Sequence, residues 1–498
     1  MSTTRRVEFN PTARDLMQRA LAWMDAAWDA EAGLFRMPGD QLYEAGNLGV
    51  PGHMIRETAW YALGLLARGA EDDVARARQA IRTVLTFQFD APTEPYHGTW
   101  YRSPYEPHPP PEPTVWRDYD PNWREFIGTT LALVLIEFEA LLDDALRAQI
   151  DVALRRAIDG TIARDVPASY TNIALMTAFL LQFGAARFDE PSWAAHAERL
   201  AREIVARYDA HDAFDEYNSP TYYGVDLYAL ALWRKHATLP FLREAGARIE
   251  HALWRDIAQF YHAELCNVAG PYDRSYGMDM RKYVAGLGIW IWLATGYARA
   301  PFPDLEQPLE HGWDFAVAPV FALLGLNMPE DVQAHFMSFQ GERLITRMIT
   351  AEPHRVASAW VGARLMLGAE DSSSTHRINS QYHPVTIHWL QPDAQLGWVR
   401  LRHTEAVDAR AERNRLSFSC AQHQGGVLRF VFQVASPGAQ PEQFAHDVWM
   451  LPGLRVQVAT NASELHTEAK DGLIEVHYST SDLAPGLPVW FQLDVAST

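Results

Sequence analysis

Glu216, Ser219, Tyr222 and Tyr223 stand together in FDEYNSPTYYGVDLYALALW, residues 214–233. Ser219-Pro220 predicts a helix start, because proline is tolerated in the first turn, where its missing N–H breaks no helical bond. Tyr222 and Tyr223 then project from the positive end of the helix dipole, which favours an ionised phenolate. A tyrosine placed there can act as general base or acid once cationic neighbours lower its pKa from ~10. The same pair also reads as two aromatic core residues at a helix entrance. A second polar group, GPYDRSYGMDMRKY at 270–283, crowds Arg274, Arg281 and Lys282 against Asp273, Asp279, Tyr272 and Tyr276. Arg274 has the planar fork that grips a carboxylate through two parallel bonds. An ordinary surface ion-pair cluster has the same composition.

The densest aromatic segment is YHGTWYRSPYEPHPPPEPTVWRDYDPNW, residues 96–123. Its prolines preclude a helix through the middle, and long loops within compact domains are usually functional. Trp100, Tyr101, Trp116 and Trp123 can stack on the apolar faces of sugar rings, or they can pack the loop onto its neighbours. Both readings remain open from the sequence.

These residues need a scaffold. From about 11 to 326 apolar residues recur at three- and four-residue steps between Pro, Gly and Asp punctuation, which predicts a helical array. The expected helices lie near 11–29, 55–69, 73–88, 124–143, 145–159, 170–184, 190–209, 222–236, 239–260, 281–298 and 313–325. Eleven helices make five or six antiparallel hairpins. From about 345 the period becomes two: Leu428, Phe430, Phe432 and Val434 share one face, as do Leu454, Val456 and Val458, then Ile474, Val476 and Tyr478, then Phe491, Leu493 and Val495. Turn signals at Gly425-Gly426 and Asp471-Gly472 separate such strands. The expected fold class is therefore α+β and multidomain, with an N-terminal (α/α) toroid over 1–335 and a C-terminal antiparallel β-sandwich over 336–498.

Ser219-Pro220-Thr221-Tyr222, preceded by Glu216, resembles the E-x-S-P-x-Y-H signature of the heparinase II/III-like polysaccharide lyases and related alginate lyases. The resemblance implies an (α/α) toroid followed by an antiparallel β domain, and it makes Tyr222 the catalytic tyrosine. It also implies an asparagine or histidine about 50 residues upstream that neutralises the substrate carboxylate, and Asn172 stands 50 residues before Tyr222. Family members add a histidine from the first strands of the β domain. His354 fits that position, with His376, His383 and His388 as rivals. Glu216 is one residue further from the serine than in the family pattern, and Tyr223 stands where a histidine commonly follows. The implied reaction is β-elimination beside a uronic acid, with Arg274 assisting at the carboxylate and Trp100, Tyr101, Trp116, Trp123, Glu216, Tyr223, Tyr276 and His376 binding the glycan. No organic cofactor is required. A glycoside hydrolase using two carboxylates among Asp118, Asp120, Glu125, Glu216, Asp226 and Asp273 is the alternative, and a non-catalytic glycan-binding protein is a second.

The 498 residues carry 43 Lys+Arg against 62 Asp+Glu, a formal net charge of −19. That excess argues against nucleic acid and anionic membranes as partners, since both are met with basic patches. It also favours an oligosaccharide or lightly charged glycan over a densely sulfated polymer. The two cysteines, Cys266 and Cys420, lie far apart and support neither a disulfide framework nor a cysteine zinc site. The histidine spacings match no strong zinc pattern, so no metal is assigned. The N-terminal segment has no apolar stretch of signal-peptide type, and the expected location is cytoplasmic.

Overall fold

The computed structural model describes residues 8–37, 42–43, 50–372, 380–402 and 405–498. Its helices are Pro11–Asp25, Ile55–Arg68, Asp73–Thr86, Trp123–Phe138, Asp144–Arg164, Thr171–Phe188, Pro191–His211, Tyr222–His236, Pro240–Phe260, Gly286–Thr295, Ala318–Leu324 and Gln333–Met337. The helical array read from the three- and four-residue apolar steps is therefore present. The expected helix at 281–298 begins later, at Gly286, because Val284 N–H donates to the Glu310 carbonyl at 2.9 Å and this pairing holds the chain extended. No described helix is long and apolar enough to cross a membrane.

Two kinds of helix serve different layers. Ile55–Arg68, Thr171–Phe188 and Gly286–Thr295 are buried along nearly their whole length, as an all-round apolar helix must be. In Pro191–His211 the buried residues Ala197, Leu200, Ala201, Ile204, Val205 and Tyr208 fall on one stripe, so that helix keeps a wet face. The first helix is tied to the late ones: Thr12 donates to the Leu293 carbonyl at 2.9 Å, and the Trp292 indole donates to Asp15 at 3.1 Å.

The chain divides into two compact units that are not contiguous in sequence. One comprises residues 1–206, 224–250 and 283–327; the other takes 207–223 and 251–282 together with 328–498. The second unit thus draws two short segments out of the helical stretch, and those segments carry Glu216, Tyr222, Arg274 and Tyr276.

Thirteen antiparallel strands of the second unit form one sheet. Its order runs from Val448–Leu451 through Leu454–Thr460, Val489–Ser497, Arg415–Cys420, Asp408–Glu412, Leu365–Asp371, Val385–Leu390, Leu396–Leu401 and Arg429–Ala435 to Leu473–Ser479 and Glu464–Lys470. Arg355–Val361 and Arg343–Thr350 branch from Leu365–Asp371. The alternating residues named from sequence all face a single core. Strands remote in the sheet order meet there: the Tyr478 and Phe491 rings are 5.3 Å apart, so the sheet curls over its own core.

One close approach fixes the sheet against segment 267–275. Gly368 lies so near Gly270 that a Cβ on it would fall 2.0 Å from the Gly270 carbonyl carbon, and a Cβ on Gly270 would fall 2.3 Å from the Thr386 hydroxyl. Backbone cannot yield as a flexible side chain can, so Gly368→Ala is expected to cost about 1–3 kcal/mol or more through overpacking. A lowered thermal midpoint in the full chain checks this; an unchanged midpoint would refute the contact.

Candidate functional site

Tyr222 opens the helix Tyr222–His236, and its position is set from below by Ser219. The Ser219 hydroxyl accepts the Tyr222 backbone N–H at 3.0 Å, a helix-capping bond, and donates to the Arg274 carbonyl at 2.5 Å. One hydroxyl thereby ties the tyrosine to the arginine segment. Asn218, in the left-handed region at φ 47°, donates from its amide to the Ala269 and Pro271 carbonyls, each at 2.8 Å. Asp273 N–H donates to the Tyr217 carbonyl at 3.2 Å. Segments 215–222 and 269–276 are thus laced together over their whole length.

A third segment joins them. Tyr272 and His383 exchange backbone bonds at 3.1 and 2.9 Å, and Ser275 N–H donates to the Gln381 carbonyl at 2.9 Å. Beneath all three lies Arg355, 1% exposed. Its Nε donates to Glu370 at 2.8 Å, Nη2 to Asp273 at 2.8 Å and Nη1 to the Asp215 carbonyl at 2.7 Å. Burial works against its charge, yet Glu370 and Asp273 more than offset that, and the guanidinium pKa is raised.

On this base the side chains converge. Arg274 Nη2 donates to the Tyr222 hydroxyl at 2.6 Å, Nη1 to Glu216 at 2.6 Å and Nε to the Gln381 side chain at 3.0 Å. The guanidinium carbon also sits 3.7 Å from the Tyr222 ring centroid. The Tyr276 hydroxyl lies 3.0 Å from that of Tyr222. The arrangement is a phenol held between a cation and a second phenol, able to lose or gain a proton with charge compensation beside it. Nearby Tyr217 is a different case: burial, then the charge of Asp256, push it well above the ordinary tyrosine value, and it donates to Asp256 at 3.1 Å.

Tyr222, Arg274, Glu216 and Tyr276 are therefore brought together, but Arg274 differs from the expected carboxylate fork. Each of its three nitrogens already bonds a protein group, Tyr222 among them. Tyr223 is also corrected: it is 1% exposed and packs edge-on to Tyr217, which leaves it no face for a glycan. His354 is half exposed in a turn and lies 3.5 Å from Asp371. The histidine that reaches the Arg274 segment is its rival His383, whose Nε2 is 3.3 Å from the Ser275 carbonyl. His388 is buried against the Met278 carbonyl at 3.0 Å, and burial lowers its pKa to about 4. His376 lies outside the described residues. Asn172 is buried in the first turn of Thr171–Phe188, in the helical unit.

The aromatic loop does not form the expected open platform. Trp100 and Trp123 are 0% and 1% exposed, and Tyr101 packs at a tilt against Phe89, ring centroids 4.0 Å apart. Only Trp116, of the four named, stands open, at 46%. The loop is held from inside by Arg102, which donates to the Trp116 and Arg117 carbonyls at 2.8 Å and to Glu106. It borders a cavity of about 450 Å³ lined by His97, Tyr119, Arg124, Arg156, Asp159 and Arg164.

A group not foreseen from sequence lies in the same unit. Arg56 is stacked over Trp60, Trp123 and Phe126 at 4.5, 5.3 and 5.2 Å, donates to Glu57 at 2.9 Å, and reaches Asp314 at 3.5 Å. Burial, opposed by Arg56 and aided by Glu57, pushes Asp314 up to about 7. Burial likewise raises Asp120. The signal for Arg355 was weak too: it stands beside His354 at the head of a strand, where an arginine ordinarily faces water.

Residues 14–325 match the model of a family described as Domain of unknown function (DUF8769), and residues 341–476 match a second, described as Domain of unknown function (DUF8770). No curated protein matches the sequence. Among solved structures the chain resembles the polysaccharide lyases heparinase III, at 9% identity and TM-score 0.46 over 100% of this chain and 86% of that one, and chondroitinase AC lyase, at 9% and 0.44 over 97% and 82%. It is also similar to the endoglucanase CelQ from Clostridium thermocellum, at 10% and 0.28 over 99% and 93%.

Replacing Arg355 with leucine leaves Asp273 and Glu370 buried without their partner, and the expected cost is about 3–5 kcal/mol. Adding Asp273→Asn and Glu370→Gln should recover part of it. Denaturant midpoints of the single and triple variants test the triad, and equal midpoints for all proteins would rule it out.

Proposed function

For this chain, which belongs to the family described as Domain of unknown function (DUF8769), we propose a carbon–oxygen lyase that cleaves a glycosidic bond next to a uronic acid by β-elimination. The observation that carries this reading is the 2.6 Å bond from Arg274 to the Tyr222 hydroxyl, at the position where the Ser-Pro-x-Tyr resemblance puts a catalytic tyrosine. The first helix bonded to the late ones supports a helical unit closed as an (α/α) toroid, and the curled sheet supports a sandwich-like β domain.

In the proposed step the C5 proton passes to a base, the electron pair forms the C4=C5 bond, and the C4–O4 bond breaks with a proton delivered to O4. Tyr222 takes the first proton, gives the second, or does both. Arg274 meets the negative charge that develops on the phenol oxygen, while Glu216 and Gln381 hold the guanidinium in place. Tyr276 provides a hydroxyl through which a proton can pass. The C5 proton is weakly acidic while the uronate keeps its charge, so that charge must be neutralised. Asn172 and a histidine, either His354, His376 or His383, are the proposed groups. The net charge of −19 favours a short or lightly charged glycan, met in the cytoplasm.

Tyr222→Phe is expected to lower the turnover of uronate-containing oligosaccharides by about 10²–10⁴-fold, read as the ultraviolet absorbance of the unsaturated product. Undiminished elimination would remove Tyr222 from the mechanism.

Asp314 supports a second reading, a hydrolase, because a carboxyl held up to about 7 suits a general acid. Such an acid is protonated below about 7, so hydrolysis should fall as pH rises through that value and vanish in Asp314→Asn. Reducing ends released without ultraviolet absorbance, with that pH profile, would decide for hydrolysis over elimination.

A further inference from the structure

The strands Glu464–Lys470 and Leu473–Ser479 form a hairpin at the end of the sheet order. Asp471 and Gly472, at φ 50° and 76°, make its two-residue turn, the left-handed pair that matches strand twist and fixes register. That register sets His466 opposite His477 and Glu468 opposite Glu475. Because side chains alternate along a strand, all four share one face. Two carboxylates directly opposite each other are unfavourable unless a cation lies between them.

The spacing of the donor atoms is compatible with coordination of one ion. His477 Nε2 lies 3.4 Å from Glu468 Oε1 and 3.3 Å from Glu475 Oε2, and the three donor atoms lie within 4.8 Å of one another. Tetrahedral bonds of about 2.0–2.1 Å to nitrogen and oxygen imply donor separations of about 3.3–3.4 Å. Nε2 of His477 is screened from solvent and makes no hydrogen bond. Glu475 is aimed from behind: Gln433 donates to its Oε1 at 2.8 Å, and Arg400 in turn donates to Gln433 at 2.9 Å. Such outer partners orient metal-binding carboxylates. Lys470 Nζ stands 3.8 Å from Glu475 Oε2 on a half-exposed side chain.

We propose that His477, Glu468 and Glu475 bind a first-row divalent transition-metal ion, zinc being the best fit, with His466 as fourth ligand. His466 stands opposite His477 on the same face, with ring centroids 5.8 Å apart. An imidazole–carboxylate set suits zinc, whereas magnesium and calcium take oxygen ligands. Bound metal would pin the edge strand to its neighbour, a role independent of the proposed lyase activity.

The test is calorimetric titration of the full-length, chelator-treated protein with zinc chloride and, separately, magnesium chloride. One zinc site is expected, weakened at least tenfold in His477→Ala and in Glu475→Gln, with no comparable response to magnesium. Cobalt(II) in place of zinc should give visible d–d bands in the wild-type chain, and zinc should raise its thermal midpoint; metal-free midpoints report whether the variants fold. Equal zinc affinity in wild type and His477→Ala, or wild-type protein without cobalt bands, would overturn the site.

Discussion

Arg355 sits in the interior with Glu370 on one side and Asp273 on the other, and its remaining nitrogen holds the Asp215 carbonyl. A buried charge of this kind persists only with close, well-oriented partners. Those partners come from a sheet strand and from the two segments that carry Glu216, Tyr222 and Arg274. Asp215 immediately precedes Glu216 and Asp273 immediately precedes Arg274, so the triad fixes the spacing of the pair above it. The Ser219 hydroxyl then repeats the link one layer up, and the phenol of Tyr222 meets the guanidinium of Arg274 because the backbone beneath has no other place to put them.

That dependence explains why Arg274 is bonded to the tyrosine. A guanidinium beside a phenol stabilises charge on its oxygen, but only if it cannot turn away, and Glu216 and Gln381 occupy its other two nitrogens. Spacing could not distinguish this from a free fork awaiting a substrate carboxylate. The difference lies in Gln381, which is over a hundred residues away in sequence and arrives through backbone pairing between His383 and Tyr272.

The aromatic segment at 96–123 shows the same limit from the other side. Its composition and prolines were legible as an ordered, non-helical loop, and it is one. Whether a ring faces solvent depends on what packs against it, and Trp100 and Trp123 are covered while Trp116 is not. Arg56, stacked over Trp123 and reaching Asp314 from far along the chain, likewise has no signature in local sequence.

Period determined much from the sequence alone. Three- and four-residue apolar steps specify helices and two-residue steps specify strands because each buries one continuous face, and the Asp471-Gly472 turn specifies a hairpin because few residues adopt positive φ. Ser219-Pro220 marked the start of the helix that carries Tyr222 for the same local reason. What only the tertiary structure decided is which distant segments share an interior. The burial of Arg355, the choice of His383 over His354 at the Arg274 segment and the inward use of Arg274 all depend on long-range pairing. Its energy comes from contacts between residues far apart in the chain, and no local pattern records it.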